Sequence, residues 1–395
     1  MKGMPRMLTL IKNGEVYTPT YIGKKDLLLV DEKIGFIEDH ISLPTDFVDI
    51  NVVDASGMKV VPGFIDSHVH ITGGGGEGSY KTRTPELHLT DATLSGITTI
   101  IGVIGTDGTT RTMPNLIAKA RALEEEGITC YVHTGSYQVP VKTLTGRIED
   151  DLILIDRIIG VGEIAISDHR SSQPTVEEMA KLASAARIGG MLSGKAGIVN
   201  IHVGDSKDHL DLILKVLEST DLPIRQFYPT HINRNPHLFE AGISYAKKGG
   251  WVDFTTSTIP KFLAEGEVSC SQGLKRMLDA NVPIEQITFT SDGQASLPDF
   301  NEDGEMVGLK IGKVNTLFQA VKDAVHQEQI PLQTALKVIT SNPATILKLQ
   351  QKGELKPGKD ADIVLLDHDL SIQSVWAKGQ HMVSEGKALV KGTFE

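Results

Sequence analysis

The stretch "GFIDSHVH", residues 63–70, sets His68 and His70 two positions apart. In an extended strand, side chains two apart point to the same face, so the two imidazoles would stand side by side. Such a pair suits a divalent cation, and a pair of packed barrel-core histidines is the plainer alternative for this motif alone. Other residues narrow the choice. His202 in "VNIHVGDS", His231 in "YPTHINRN" and Asp292 in "FTSDGQAS" each stand at or just after the end of an apolar run. Glu163 lies within "IIGVGEIAIS", which otherwise reads as a buried strand. A carboxylate left unpaired there costs several kcal/mol, so it should either carry a partner or shift its pKa and go neutral, and something cationic is expected to face it. Four imidazoles and two carboxylates converging on one place form the nitrogen and oxygen ligand set that divalent zinc takes.

The elements that must position these residues follow a regular pattern. The apolar runs "VVPGFIDSHVH", "GITTIIGVIG", "ITCYVHTGSY", "IGVGEIAISD", "GIVNIHVGD", "RQFYPTH", "GGWVDFTTS" and "ITFTSDG" alternate with helical spacing, as in "NLIAKARALEEEG", "TVEEMAKLASAARIGGML" and "LDLILKVLEST". Eight strand runs in alternation with helices predict a parallel sheet, most simply a closed (β/α)8 barrel. The candidate ligands gather at the C-terminal ends of those strands, the face on which such barrels build active sites. Both chain ends are instead β-rich with frequent turns. The expected organisation is α/β: a TIM-like barrel over 62–351 and a small β-sandwich domain built from 1–61 plus 352–395.

Charge and composition narrow the partners. The chain carries 39 Lys plus Arg against 50 Asp plus Glu, a net charge of -11 spread without long like-charge blocks. That distribution argues against a nucleic-acid surface. No run approaches the ~18 apolar residues of a membrane span. The opening "MKGMPRMLTLIKNGEVYTP" turns polar too soon for a signal peptide. Two cysteines, Cys130 and Cys270, are too few for a disulfide framework or a thiolate zinc site. A cytoplasmic location is expected, with neither nucleic acid nor membrane as partner.

These motifs, together with "GFIDSHVHITGGGGEG", "KTRTPE", "GTDG", "ISDHRS", "HVGDSK", "THINRN" and the terminal "KGTFE", resemble the metal-dependent amidohydrolase superfamily and, within it, the isoaspartyl (β-aspartyl) dipeptidases. The resemblance covers essentially the whole chain, whereas "PGFIDSHVH" alone would mark only the superfamily. It implies a hydrolase that cleaves the isopeptide bond of β-aspartyl dipeptides with two Zn2+ per subunit. His68 and His70 would bind the more buried metal, and His202 and His231 the other. Asp292 would bind the first and act as proton shuttle, with a hydroxide between the ions as nucleophile. The family pattern usually has a carboxylated lysine bridging the metals. Counted back from Arg170, that position here is Glu163, so its cationic partner would be the metal pair itself. Glutamate is shorter by several bonds, so the strand must come closer to the metals, which Gly162 would permit through a bulge or close backbone approach.

On the substrate side, the glycine run "ITGGGGEGS" lacks the Lys-Ser/Thr pair and helix of a phosphate loop, and a flexible turn is its plain reading. The resemblance implies a backbone contact from Gly75 and a role for Glu77 in binding the free α-amino group. Arg170 and Arg234 closely follow metal-region strands, and an aspartyl peptide's free carboxylates require cationic partners inside a site. The resemblance assigns them that task, with Ser296 and Thr106 as hydrogen-bond partners. Tyr137, in a segment long enough for a mobile lid, would donate to the developing oxyanion; a tyrosine packed in its loop is the alternative. His169, between Asp168 and Arg170, is a candidate supporting group, whereas His88, His133 and His209 lack any partner pattern. The rival readings are another amidohydrolase, either a cyclic amidase or an N-acetyl-sugar deacetylase, and a catalytically silent scaffold of the same fold. All six ligand positions are filled, which speaks against the scaffold. The resemblance also implies a homo-oligomer, with an octamer as the assembly it suggests.

Overall fold

The computed structural model describes residues 8–42, 49–301 and 306–395. The expected N-terminal β segments therefore fall partly, at 1–7 and 43–48, outside the described residues.

Eight parallel strands make the barrel. Phe64–Val69, Ile97–Gly102, Thr129–Thr134, Ile158–Ile166, Ile198–Val203 and Phe227–Thr230 form one curled sheet in chain order. Val252–Thr255 and Ile287–Thr290 pair in parallel and close the ring. On one flank Ile232 N–H donates to the Asp253 carbonyl at 3.1 Å, and on the other His70 N–H donates to the Gly293 carbonyl at 2.9 Å. Strands buried on both faces cannot show alternation, which is why these sequences read as continuous apolar runs; all nine residues of Ile158–Ile166 are buried.

The expected helices are present, and local chemistry sets their ends. Thr112 caps Met113–Glu125 by accepting from Asn115 N–H. Thr175 and Glu178 form a reciprocal capping box at the start of Val176–Ser193, which ends on Gly194 at φ 72°. The third, Asp211–Ser219, buries Ile213 and Val216. Inside the ring, Ile65, Ile101, Ile159, Ile198 and Tyr228 pack against Ala344, Ile346, Leu347 and Leu349 to seal the floor. Polar side chains line the other end, above that apolar plug.

The two chain ends meet in one nine-stranded sheet, joined where Lys59–Pro62 pairs antiparallel with Ile363–Leu366. The sheet wraps a core of its own to which both ends contribute, including Ile11, Leu27, Val60, Ile363 and Trp376. A hairpin absent from the sequence-based expectation, Ser296–Phe300 with Met306–Ile311, follows the last barrel strand. Among the described residues, no helix is long and apolar enough to cross a membrane.

Candidate metal centre and substrate pocket

Glu163 reaches the barrel axis through a break in strand register. Val199 pairs with Val161 and Ile201 with Ile164, so Gly162 and Glu163 together stand opposite Asn200. Gly162 has φ 135°, and a Cβ there would come within 2.4 Å of the Asn200 carbonyl oxygen. Only glycine tolerates both the angle and the approach.

The bulged carboxylate is shared between two groups of ligands. Its Oε2 lies 3.2 Å from His68 Nε2 and 3.9 Å from His70 Nε2. Asp292 Oδ1 stands 3.1 Å from His70 Nε2 and 3.7 Å from His68 Nε2. The other oxygen of Glu163, Oε1, is 2.9 Å from His202 Nδ1 and 3.2 Å from His231 Nε2. Both sets, His68–His70–Glu163 and Glu163–His202–His231, have donor atoms within 4.8 Å of one another.

The donors fit divalent cations. His68 Nε2, Glu163 Oε2 and Asp292 Oδ1 are buried without any hydrogen bond, so their lone pairs face one another with nothing to satisfy them. Burial pushes the Glu163 carboxyl up, but the imidazoles of His68, His202 and His231 hold it well below its usual range. Burial pulls His68 down, yet Glu163 and Asp292 carry it up to about 9. The two carboxylates thus draw positive charge to the point where the first ligand set converges, and metal binding competes with that proton.

Three of the four imidazoles are oriented by a partner on the far nitrogen. His68 Nδ1 lies 3.0 Å from Asn200 Oδ1, whose amide nitrogen is committed to the Tyr228 carbonyl at 3.2 Å. The carbonyl oxygen of Asn200 therefore accepts the Nδ1 proton, which leaves Nε2 free to ligate. His202 Nε2 donates to Asp168 Oδ2 at 2.9 Å, which turns Nδ1 toward Glu163. Burial raises the Asp168 carboxyl, but His202 and Arg170 outweigh it and hold it far below the usual range. His231 Nδ1 makes a short bond to the Thr255 hydroxyl. Sequence reasoning missed Asn200, Asp168 and Thr255 in these roles. Asn200, two residues before His202 on one strand, carried a readable signal; Thr255 carried none. The expectation for His169 is corrected: its side chain is 90% exposed, and the supporting carboxylate is its neighbour Asp168.

The pocket above the ligands brings together all the remaining candidates. Gly75, Glu77, Thr106, Tyr137, Arg170, Arg234 and Ser296 line one cleft with His70, His202 and Asp292. Thr106 Oγ1 donates to Glu77 Oε1 at 2.9 Å, and Arg170 Nη1 donates to the same oxygen at 3.4 Å. Arg170 is itself clamped by Asp168 at 2.7 Å. Arg234 Nη2 lies 3.4 Å from Asp292 Oδ2. The glycine turn is held from behind by buried Arg111, which donates to the Thr72 carbonyl at 3.2 Å and the Gly74 carbonyl at 2.7 Å. Tyr137 is buried with its hydroxyl 2.8 Å from His202 Nδ1. The backbone at Tyr137 is joined to Gly105 and Ala165 by hydrogen bonds of 3.3 and 3.1 Å.

The model of the amidohydrolase family matches residues 59–387, and the chain belongs to the amidohydrolase family. Within that family it stands beside the β-aspartyl dipeptidases. It shares 44% identity and a TM-score of 0.88 with the β-aspartyl dipeptidase of Fervidobacterium islandicum AW-1, solved with a β-Asp-Leu dipeptide, over 97% of this chain and 98% of that one. A D-hydantoinase from a Thermus species is 18% identical with a TM-score of 0.67, over 97% of both chains, a likeness of fold. In sequence, a dihydroorotase of Lactobacillus johnsonii is 23% identical over 91% of this chain and 89% of its own length.

Proposed function

We propose that this amidohydrolase cleaves the isopeptide bond of β-aspartyl dipeptides. The observation that carries the reading is the Glu77–Arg170 pair beside the ligand cluster. An isoaspartyl residue presents an ammonium and a carboxylate on the same carbon, and an anion paired with a cation is the complement of that zwitterion. The 44%-identical relative solved with β-Asp-Leu supports the same substrate class.

His68, His70, Glu163 and Asp292 would hold one zinc ion, and Glu163, His202 and His231 the other. When bound, the cations supply Lewis acidity and lower the pKa of a water toward ~7. Glu77, steadied by Thr106, receives the α-ammonium, while Arg170 faces the carboxylate on the same carbon. Gly75 and Ser296 line the same cleft. Arg234, on the Asp292 side, faces the carboxylate of the leaving residue. Asp292 accepts a proton during attack and returns it to the leaving amine. Burial and then the nearby Glu163 charge raise the Tyr137 hydroxyl well above its usual value, so it stays protonated and can donate to the oxygen that gains charge.

The test is Glu77→Gln with β-Asp-Leu as substrate and zinc content measured on the same preparation. The expected result is a fall in kcat/KM of ~100-fold or more with the metal load unchanged, because the substrate's ammonium loses its counter-charge. An unchanged kcat/KM would remove the zwitterion reading.

A further inference from the structure

Another buried carboxylate, Asp253, lies on the seventh barrel strand, Val252–Thr255. Among the described residues it makes no ion pair; hydroxyls alone hold it. Its Oδ2 accepts from Thr230 Oγ1 at 2.5 Å and from Thr290 Oγ1 at 2.6 Å. Its Oδ1 accepts from Thr288 Oγ1 at 2.6 Å and from Tyr228 at 3.5 Å. One side chain thereby fastens the sixth and eighth strands to the seventh.

The places it fastens are telling. Thr230 immediately precedes His231, and Thr290 precedes Asp292 by two residues. Both candidate ligands leave their strands in the left-handed region, His231 at φ 66° and Asp292 at φ 53°. A residue other than glycine keeps such a conformation only where its surroundings over-determine it. Short hydroxyl–carboxylate bonds fix the chain just before each turn. After His231, Ile232 N–H donates to the Asp253 carbonyl at 3.1 Å, so side chain and backbone of a single residue hold that ligand from both flanks.

We infer that Asp253 is the positioning residue for His231 and Asp292: a hydroxyl-caged anion that sets one ligand of each cation site while touching neither cation nor substrate. This rests on the reading of His231 and Asp292 as metal ligands.

The test uses the full-length enzyme loaded with cobalt in place of zinc, whose visible absorption reports ligand geometry. Asp253→Asn keeps the shape of the side chain, but its amide nitrogen cannot accept the hydroxyl bonds that Oδ1 or Oδ2 now accepts. The expected result is a folded protein with altered cobalt bands and release of cobalt to a chelator faster by ~10-fold or more, the usual effect of losing a group that orients a ligand. Two finer variants keep the test decisive where Asp253→Asn fails to fold. Thr230→Val should hasten release of one cobalt ion, and Thr290→Val should lower kcat with KM unchanged. Asp26→Asn, a buried carboxylate of the chain-end sheet that accepts from Ile41 N–H at 2.9 Å, should lower thermal stability while leaving the cobalt spectrum untouched. Wild-type cobalt spectra and release rates in Asp253→Asn or both threonine variants would overturn the inference alone. A wild-type enzyme that binds no cobalt would overturn both the inference and the metal reading beneath it.

Discussion

At the scale of single residues, Glu163 serves two ligand sets with the two oxygens of one carboxylate. A lysine must react with dissolved carbon dioxide before it can do so; a glutamate carries its charge already. Metal-free enzyme should therefore regain full activity on adding zinc in carbon-dioxide-depleted buffer, with no further gain from bicarbonate. Glu163→Gln should lose at least one equivalent of bound zinc, because a neutral amide would then face the two proposed dications and the lost Coulomb attraction would be large even at a generous dielectric. Strong bicarbonate dependence, or a full zinc load in Glu163→Gln, would contradict the assignment. The ligands themselves were legible because each is a rare polar residue at the end of an apolar run. Their supporters were not: Thr255 and Asp253 lie within "WVDFTTS", where nothing in spacing or composition tells a hydroxyl that orients a histidine from one that merely fills a barrel.

At the scale of elements, the fourth barrel strand shows how local geometry answers a shortage of length. Glu163 reaches the ligand cluster because its strand bulges inward against Asn200, the residue that also orients His68. Gly162→Ala should cost ~1–3 kcal/mol, since alanine at φ 135° is strained and its Cβ would strike the Asn200 carbonyl. Thermal melting should show a lowered midpoint, and the damage should extend to zinc affinity because Asn200 and Glu163 shift together. A wild-type midpoint would mean that the bulge relaxes freely. The glycine before the acid announced this feature, and the apolar runs announced the strands. The hairpin of Ser296–Phe300 with Met306–Ile311 escaped notice because neither strand shows an alternation strong enough to read.

At the scale of the whole molecule, the chain-end sheet is tied to the barrel by a buried ion cluster. Lys352 Nζ lies 2.6 Å from Asp362, 2.8 Å from Asp360 and 2.6 Å from the Thr129 hydroxyl on the third barrel strand. Burial works against the ammonium, but the two aspartates outweigh it and raise the Lys352 pKa. Burial likewise works against the Asp360 carboxylate, and Lys352 outweighs it and lowers that pKa. The lysine's contribution is complete below its unfolded value of ~10.4 and is lost as pH rises through its higher folded value. The contribution of Asp360 is present above its unfolded value of ~3.9 and is lost as pH falls through its lower folded value. Lys352→Met leaves buried Asp362 without its cation, while Asp360 keeps Lys33 at 2.6 Å, and should cost ~3–5 kcal/mol near neutrality. Melts of wild type and variant at pH 7 and pH 3 should show the gap narrowing in acid; an equal gap at both would mean that the loss is one of packing. That both chain ends are β-rich was readable in the sequence, but this ionic seam was not, because Thr129 and Lys352 are far apart along the chain.

In the proposed function the molecule reads one linkage, with the candidate ligands, the Glu77–Arg170 pair that would bind the zwitterion and the aspartate that would carry the proton lining one cleft. The direct measurement is kcat/KM for β-Asp-Leu, α-Asp-Leu and dihydroorotate on one zinc-loaded preparation. The account predicts that β-Asp-Leu exceeds both others by ~100-fold or more, because only it places the ammonium and carboxylate pair against Glu77 and Arg170 with its amide at the ligand cluster. Equal rates on the two peptides, or a preference for the cyclic amide, would contradict it.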